Sequence, residues 1–233
     1  MAQYEGIQAD SLFLLAENRF QDSKAFYEDH KPQLKRGVVE PLKHLMADMA
    51  PSMHAIDPLL GSWISRVRRD NRFTKDKLMY RENMWLVFLR DKRAWNWSVP
   101  AFYIDFSLNG VEWGMGFYSV TPSIMKCLRR RVEAEPMRAI KAIRQAQRAG
   151  FALDGTPYAR PRSTPDIPKE LRPLYDCRQV GFSRTESPDF MTDTTLGERL
   201  VKGFTALAPM YSLFIEAMEE DFGIRRDGNA EQD

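Results

Sequence analysis

Seven basic side chains, Arg66, Arg68, Arg69, Arg72, Lys75, Lys77 and Arg81, crowd into the stretch from Arg66 to Arg81, which holds only two acids, Asp70 and Asp76. The local balance is +5 in a chain whose total is +2, leaving about −3 for the remainder by subtraction. Guanidinium forks and ammonium groups gathered this way can hold a phosphate or carboxylate. If the chain is extended from Trp63 to Arg68, Arg66 and Arg68 share a face, because side chains alternate along a strand. Arg69 then opens a turn, where Asp70 can orient neighbouring arginines. Phe73 is expected to anchor the loop to the core and Thr74 to cap a short turn. Lys75, Lys77 and Arg81 are expected to encircle a bound anion. Two other uses stay open. The charges can pair with Asp70, Asp76, Glu82 and Asp105 as an internal salt-bridge network, or the arginines can stabilise charge in a reaction with Asp70, Asp105 or Tyr80 moving the proton.

The loop needs a frame, and the strongest structural pattern supplies a neighbour for it. From Phe102 to Tyr118, apolar and polar residues alternate on both sides of Asn109-Gly110. That dipeptide tolerates the positive φ angles of a type I′ turn, so a two-residue hairpin is expected there. This register opposes Leu108 with Val111, Phe106 with Trp113, Ile104 with Met115 and Phe102 with Phe117, all on a core face. On the other face Asp105 comes opposite Gly114, and Tyr103 opposite Gly116. Two glycines beside a carboxylate and a phenol leave either room for a ligand or the seat of a packed helix or a point of strand curvature. Tyr103, Asp105, Gly114 and Gly116 therefore join Tyr80 and the basic loop, including Asp70, as candidate ligand-binding residues.

Familiar catalytic signatures are missing. Gly114-x-Gly116-x-x-Ser119 lies inside a hairpin strand, whereas a dinucleotide fingerprint needs a strand-to-helix turn and a closing glycine or alanine. There is no P-loop and no GxSxG elbow. His30, His44 and His54 have no metal-ligand spacing, so no metal or other cofactor is expected. Cys127 and Cys177 are too few for a disulfide framework and too far apart for a CxxC pair, which favours free thiols and the reducing cytoplasm. The start of the chain, Met-Ala-Gln-Tyr-Glu-Gly, lacks the basic opening and apolar run of a signal peptide. No apolar stretch approaches the roughly 20 residues of a membrane span. Near-neutral net charge argues against a general nucleic-acid or membrane-surface binder.

Helical periodicity occupies both ends of the chain. Asp10 or Ser11 can cap a short helix through Asn18, and Asp22 or Ser23 a longer one that Pro32 and Pro41 divide and Ala50-Pro51 ends. Met84 to Leu89 reads as a strand covered on both faces. Thr121-Pro122 opens a helix, and another after Pro136 carries Arg138, Lys141, Arg144 and Arg148 as a solvated stripe. Phe151 to Pro173 reads as a surface loop with a short helix near Pro168–Leu174, and Cys177 to Arg184 as an edge strand. A long amphipathic helix from Leu196 to Phe222 follows, and 225–233 reads as a disordered tail. Helices at both ends around an antiparallel middle predict one α+β domain over 1–224.

The residues of the basic loop also carry a resemblance. Arg66-Val-Arg-Arg-Asp-Asn-Arg-Phe-Thr-Lys-Asp-Lys77 with Tyr80-Arg81 resembles the core motif of the DUF2461 family of uncharacterised proteins. Asn18-Arg-Phe-Gln-Asp-Ser-Lys-Ala-Phe-Tyr27, Phe102-Tyr103, Gly114-Met-Gly-Phe-Tyr118, Gly155-x-x-Tyr158-x-Arg160-Pro161 and Leu171-Arg-Pro-Leu-Tyr175 are similar to its other segments. Leu78-Met79 stands where many members have a small residue and proline. The likeness runs from Asp10 to Phe222, which implies one domain, and it implies no activity or cofactor. The reading that follows is a cytoplasmic binding protein for a small anionic ligand, with an enzyme or an interaction protein as the alternatives.

Overall fold

The computed structural model describes residues 4–72, 75–94 and 97–223. The roles expected for Phe73 and Thr74, and the tail 225–233, lie outside the described residues. The fold is α+β. Helices α1 (Ala9–Gln21), α2 (Lys24–Leu34) and α3 (Glu40–Ile56) precede strands β1 (Gly61–Ile64), β2 (Met84–Leu89), β3 (Pro100–Ser107) and β4 (Gly110–Phe117). Helices α4 (Pro122–Ala134) and α5 (Pro136–Arg148), strand β5 (Ala152–Pro157), helix α6 (Arg172–Asp176), strand β6 (Cys177–Glu186) and helix α7 (Leu196–Asp221) follow. The strands form an antiparallel sheet in the order β1-β2-β3-β4-β6-β5.

Packing divides the chain into two compact units, one of Met1–Phe88, Tyr103–Trp113 and Thr185–Lys202, the other of Leu89–Phe102, Gly114–Arg184 and Gly203–Asp233. The first is built on the N-terminal helices, whose Leu12, Leu15, Leu34, Val38, Leu42, Leu45, Met49 and Met53 are buried. Ser23 caps α2 by accepting from the Phe26 amide, as its type predicts. A π-helical turn, Lys35–Val39, joins α2 to α3. Pro51 does not end α3, which continues to Ile56 with the proline inside it. In the second unit α7 supplies the aromatic core: Phe102 lies 5.0 Å from Phe204 and 4.7 Å from Tyr211 between ring centroids, and Phe117 stacks on Phe214 at 5.0 Å.

The hairpin forms, but its turn is not at Asn109-Gly110. β3 ends at Ser107 and β4 begins at Gly110, so Leu108 and Asn109 are the turn residues. Asn109 does not take positive φ, which rules out the type I′ geometry. The Ser107 hydroxyl accepts from the Asn109 amide (3.2 Å) and donates to the Gly110 carbonyl (3.3 Å), bracing the shorter crossing. Gly110 is a glycine for another reason: its φ is +130°, and a Cβ would stand 2.1 Å from the Glu186 carbonyl oxygen. Cross-strand partners slide by two residues, so alternation keeps the expected core face (Phe102, Ile104, Phe106, Val111, Trp113, Met115 and Phe117 are buried) and brings Asp105 across from Glu112.

Two further expectations are corrected. The stretch after Phe151 contains a strand, β5, pairing with β6 from Ala152↔Ser183 to Pro157↔Cys177. β5 takes the edge, where Pro157 can go without a donor, and β6 is therefore an interior strand. Arg138 leaves the solvated stripe to bind Glu216 on α7 at 2.6 Å.

Candidate anion site at the Arg66–Arg81 loop

The loop's two ends form a short antiparallel ribbon beyond β1 and β2. The Arg69 amide donates to the Met79 carbonyl at 2.7 Å and the Arg81 amide to the Val67 carbonyl at 2.9 Å, with Arg68 bridged to Tyr80. Alternation sends Arg66 and Arg68 to one side as exposed residues, and buried Val67 with Arg81 to the other. Three contacts fasten the ribbon to the N-terminal helices. Tyr80 is buried and stacks on Tyr27 at 4.9 Å; Arg19 donates to the Tyr80 carbonyl at 3.2 Å; and the Asp22 carboxylate accepts from the Met79 amide at 2.7 Å. Burial raises the Tyr80 phenol above its ordinary range.

The loop's acids each engage particular arginines. Asp70 takes a two-point clamp from Arg72, Nε to Oδ1 at 2.9 Å and Nη2 to Oδ2 at 2.8 Å, which holds its carboxyl down at about 2. Both side chains are largely in water, 74% and 60% exposed. Asp76 accepts from Arg69, from the Leu78 amide at 3.0 Å and from Arg19 at 2.9 Å, and Arg69 is the main cause of its well-depressed carboxyl. Asn71 and Lys77 exchange side-chain to backbone bonds of 2.6 and 3.2 Å across the loop. Arg66 and Arg68 make no side-chain hydrogen bond or ion pair among the described residues.

These two arginines, with Arg69, Asp70, Asn71 and Arg72, line a surface hollow of about 360 Å³. Four arginines, the already engaged Asp70 and Asn71 therefore border a single space. Lys75 and Lys77 are exposed outside that lining, and Tyr80, which shares a face of the ribbon with its cross-strand partner Arg68, is buried against Tyr27.

The remaining predicted residues gather elsewhere. Arg81 lies over the Trp85 ring at 5.8 Å, on the ribbon's opposite side from Arg66 and Arg68. There the Asn83 amide nitrogen donates to both Asp105 oxygens, at 2.9 and 2.7 Å. Burial pushes the Asp105 carboxyl up to about 6, with Glu112 adding to the rise and Asn83 and Arg81 opposing it. The Tyr103 hydroxyl donates to Glu112 at 3.0 Å. The clearing expected at the two glycines is filled: a Cβ on Gly114 would stand 2.0 Å from the Phe182 carbonyl oxygen, and one on Gly116 3.1 Å from the Gly181 Cα. What fills it is the backbone of the neighbouring strand β6, not a packed helix.

Arg19, Asp22, Tyr27, Asn71 and Asn83 belong to the framework of the two clusters, and none was a predicted site residue. The first three fall in the Asn18–Tyr27 segment quoted for the family resemblance. Among the described residues no group of three His, Cys, Asp or Glu is placed to hold a metal ion.

A family model described as a conserved hypothetical protein (DUF2461) matches residues 10–213, most of the chain. The chain belongs to the DUF2461 family. No curated protein and no solved structure matches it. The matched span covers the ribbon, the Arg19–Asp76 contact and the Asn83–Asp105 pair alike. Within this DUF2461 chain no described helix is long and apolar enough to cross a membrane.

Proposed function

We propose that this DUF2461 protein binds a small phosphate- or carboxylate-bearing ligand at the hollow bordered by Arg66, Arg68, Arg69 and Arg72, and that it acts in the cytoplasm. The observation carrying the proposal is the pair Arg66 and Arg68, two cations on one side of an extended ribbon that form no side-chain hydrogen bond or ion pair among the described residues, with Arg66 only within the field of Asp70. Arg69 is already oriented by Asp76 and Arg72 by Asp70, so both guanidinium groups are held in place before a ligand arrives. Buried Cys127 and Cys177, both free thiols, accord with a reducing compartment.

A thermal-shift series with inorganic phosphate, nucleotides and organic acids tests the reading, since a ligand held by the native state raises the melting temperature. A shift with phosphate that disappears in Arg66→Gln/Arg68→Gln is expected. No shift with any anion at millimolar concentration would overturn it.

A catalytic reading has one specific support, the half-buried Asp105 with its carboxyl near 6, in the range where a general base operates. Asp105 lies outside the lining of the hollow, so a reaction there would use Arg81 and Tyr103 and not Arg66 and Arg68.

A further inference from the structure

The most exposed large apolar side chain among the described residues is Phe20, at 87%. It stands in α1 between two residues that grip the basic loop: Arg19, bonded to Asp76 and to the Tyr80 carbonyl, and Asp22, which accepts from the Met79 amide. The ring therefore projects from the helix turn to which the loop is fastened. On the loop itself Leu78 is 39% exposed, its backbone pinned through its amide to Asp76. Folding brings these two apolar groups, far apart in sequence, to the margin of a segment whose balance is +5.

We propose that this surface docks on anionic phospholipid headgroups of a bilayer, an inference that rests on the anion-binding reading above. The shared chemistry is a phosphate anion; the source is a lipid. Interfacial contact needs apolar groups that sink below the headgroups and basic groups that meet the phosphates, and Phe20 with Leu78 and Arg66 with Arg68 supply both. Phe20 is a protruding ring on a helix, outside the hollow. A fluid bilayer accepts such a ring anywhere, whereas a protein partner would have to present a matching socket. Phe13, 61% exposed, lies seven residues back on the same helical face with Glu17 between, so the acid confines the contact to the Phe20 end. The whole chain's charge of +2 does not oppose this, because attraction to a surface is local within a Debye length.

Co-sedimentation of the full chain with phosphatidylcholine vesicles, with and without phosphatidylserine, tests the proposal, with the inorganic-phosphate thermal shift run in parallel. Binding is expected only to the phosphatidylserine vesicles, and it weakens as salt is raised. Arg66→Gln/Arg68→Gln lowers vesicle affinity roughly thirtyfold and also removes the phosphate shift. Phe20→Ser/Leu78→Ser lowers vesicle affinity by about tenfold or more and leaves the phosphate shift intact. A phosphate shift without vesicle binding overturns the lipid proposal and spares the anion site, while neither signal overturns both. Vesicle binding indifferent to Phe20→Ser/Leu78→Ser, equal binding to pure phosphatidylcholine, or capture by polyglutamate in place of vesicles also overturns it.

Discussion

Arg72 and Arg66 have the same chemistry and stand in the same loop, yet their surroundings give them different work. Arg72 spends its fork on Asp70 in water, where solvent and lost side-chain freedom cancel most of the attraction. Arg72→Ala is therefore expected to leave the thermal melting curve unchanged, which differential scanning calorimetry can check; a substantial drop would mean that the pair is structural. Asp105 makes a separate prediction from its surroundings. Its folded carboxyl sits near 6 against an ordinary value of 3.8, so between those pH values the folded state holds a proton that the unfolded state has lost. Stability from this group consequently falls as pH rises from about 4 to about 6, the reverse of a salt-bridged aspartate, and the cost is complete above pH 6. Melting temperatures of the wild type and Asp105→Asn across that window should diverge as pH rises, with the variant gaining. Parallel curves would contradict the burial of this carboxylate.

At the scale of elements, close approach decides what the strands can carry. Gly114→Ala must push against the Phe182 carbonyl, a backbone atom that cannot rotate away, so a loss of about 2 kcal/mol or more is expected in urea unfolding. Gly197→Ala is the control. Its Cβ would meet the side chains of Leu45 at 3.4 Å and Met49 at 3.9 Å, both in ordinary contact, and a helical alanine is expected to be neutral or slightly stabilising. Just beyond β2, Arg90 and Glu219 of α7 pair at 2.7 Å with side chains 10% and 11% exposed. Arg90→Met removes the guanidinium from beside a buried carboxylate and should cost about 3 kcal/mol, much of it recovered by adding Glu219→Leu. The hairpin's core face was legible from alternation alone, because every inward position between Phe102 and Phe117 is apolar. Its turn was not, since Gly110 answers to Glu186, distant in sequence. β5 was hidden by Gly155, Pro157 and its exposed side chains, which read as loop until β6 supplies the ladder. Pro51 misled because tertiary packing outweighs one lost hydrogen bond, with Met49 and Met53 buried on either side of it.

For the molecule as a whole, near-neutral charge concealed a local excess that only the order of residues revealed. The alternation of Arg66, Val67 and Arg68 already placed both arginines on one side. Which of the seven cations would be satisfied could not be read, because Arg19 arrives from α1 and takes Asp76 together with Arg69. The expected ring of basic residues is thereby divided: Arg66 and Arg68 border the hollow, and Arg81 stands with Asp105 on the other side of the ribbon. Calorimetric titration of inorganic phosphate into the wild type, Arg66→Gln/Arg68→Gln and Arg81→Gln tests this division most directly. Saturable binding is predicted for the wild type and Arg81→Gln and is lost in the double variant; absent binding throughout, or binding that survives in the double variant, would contradict it.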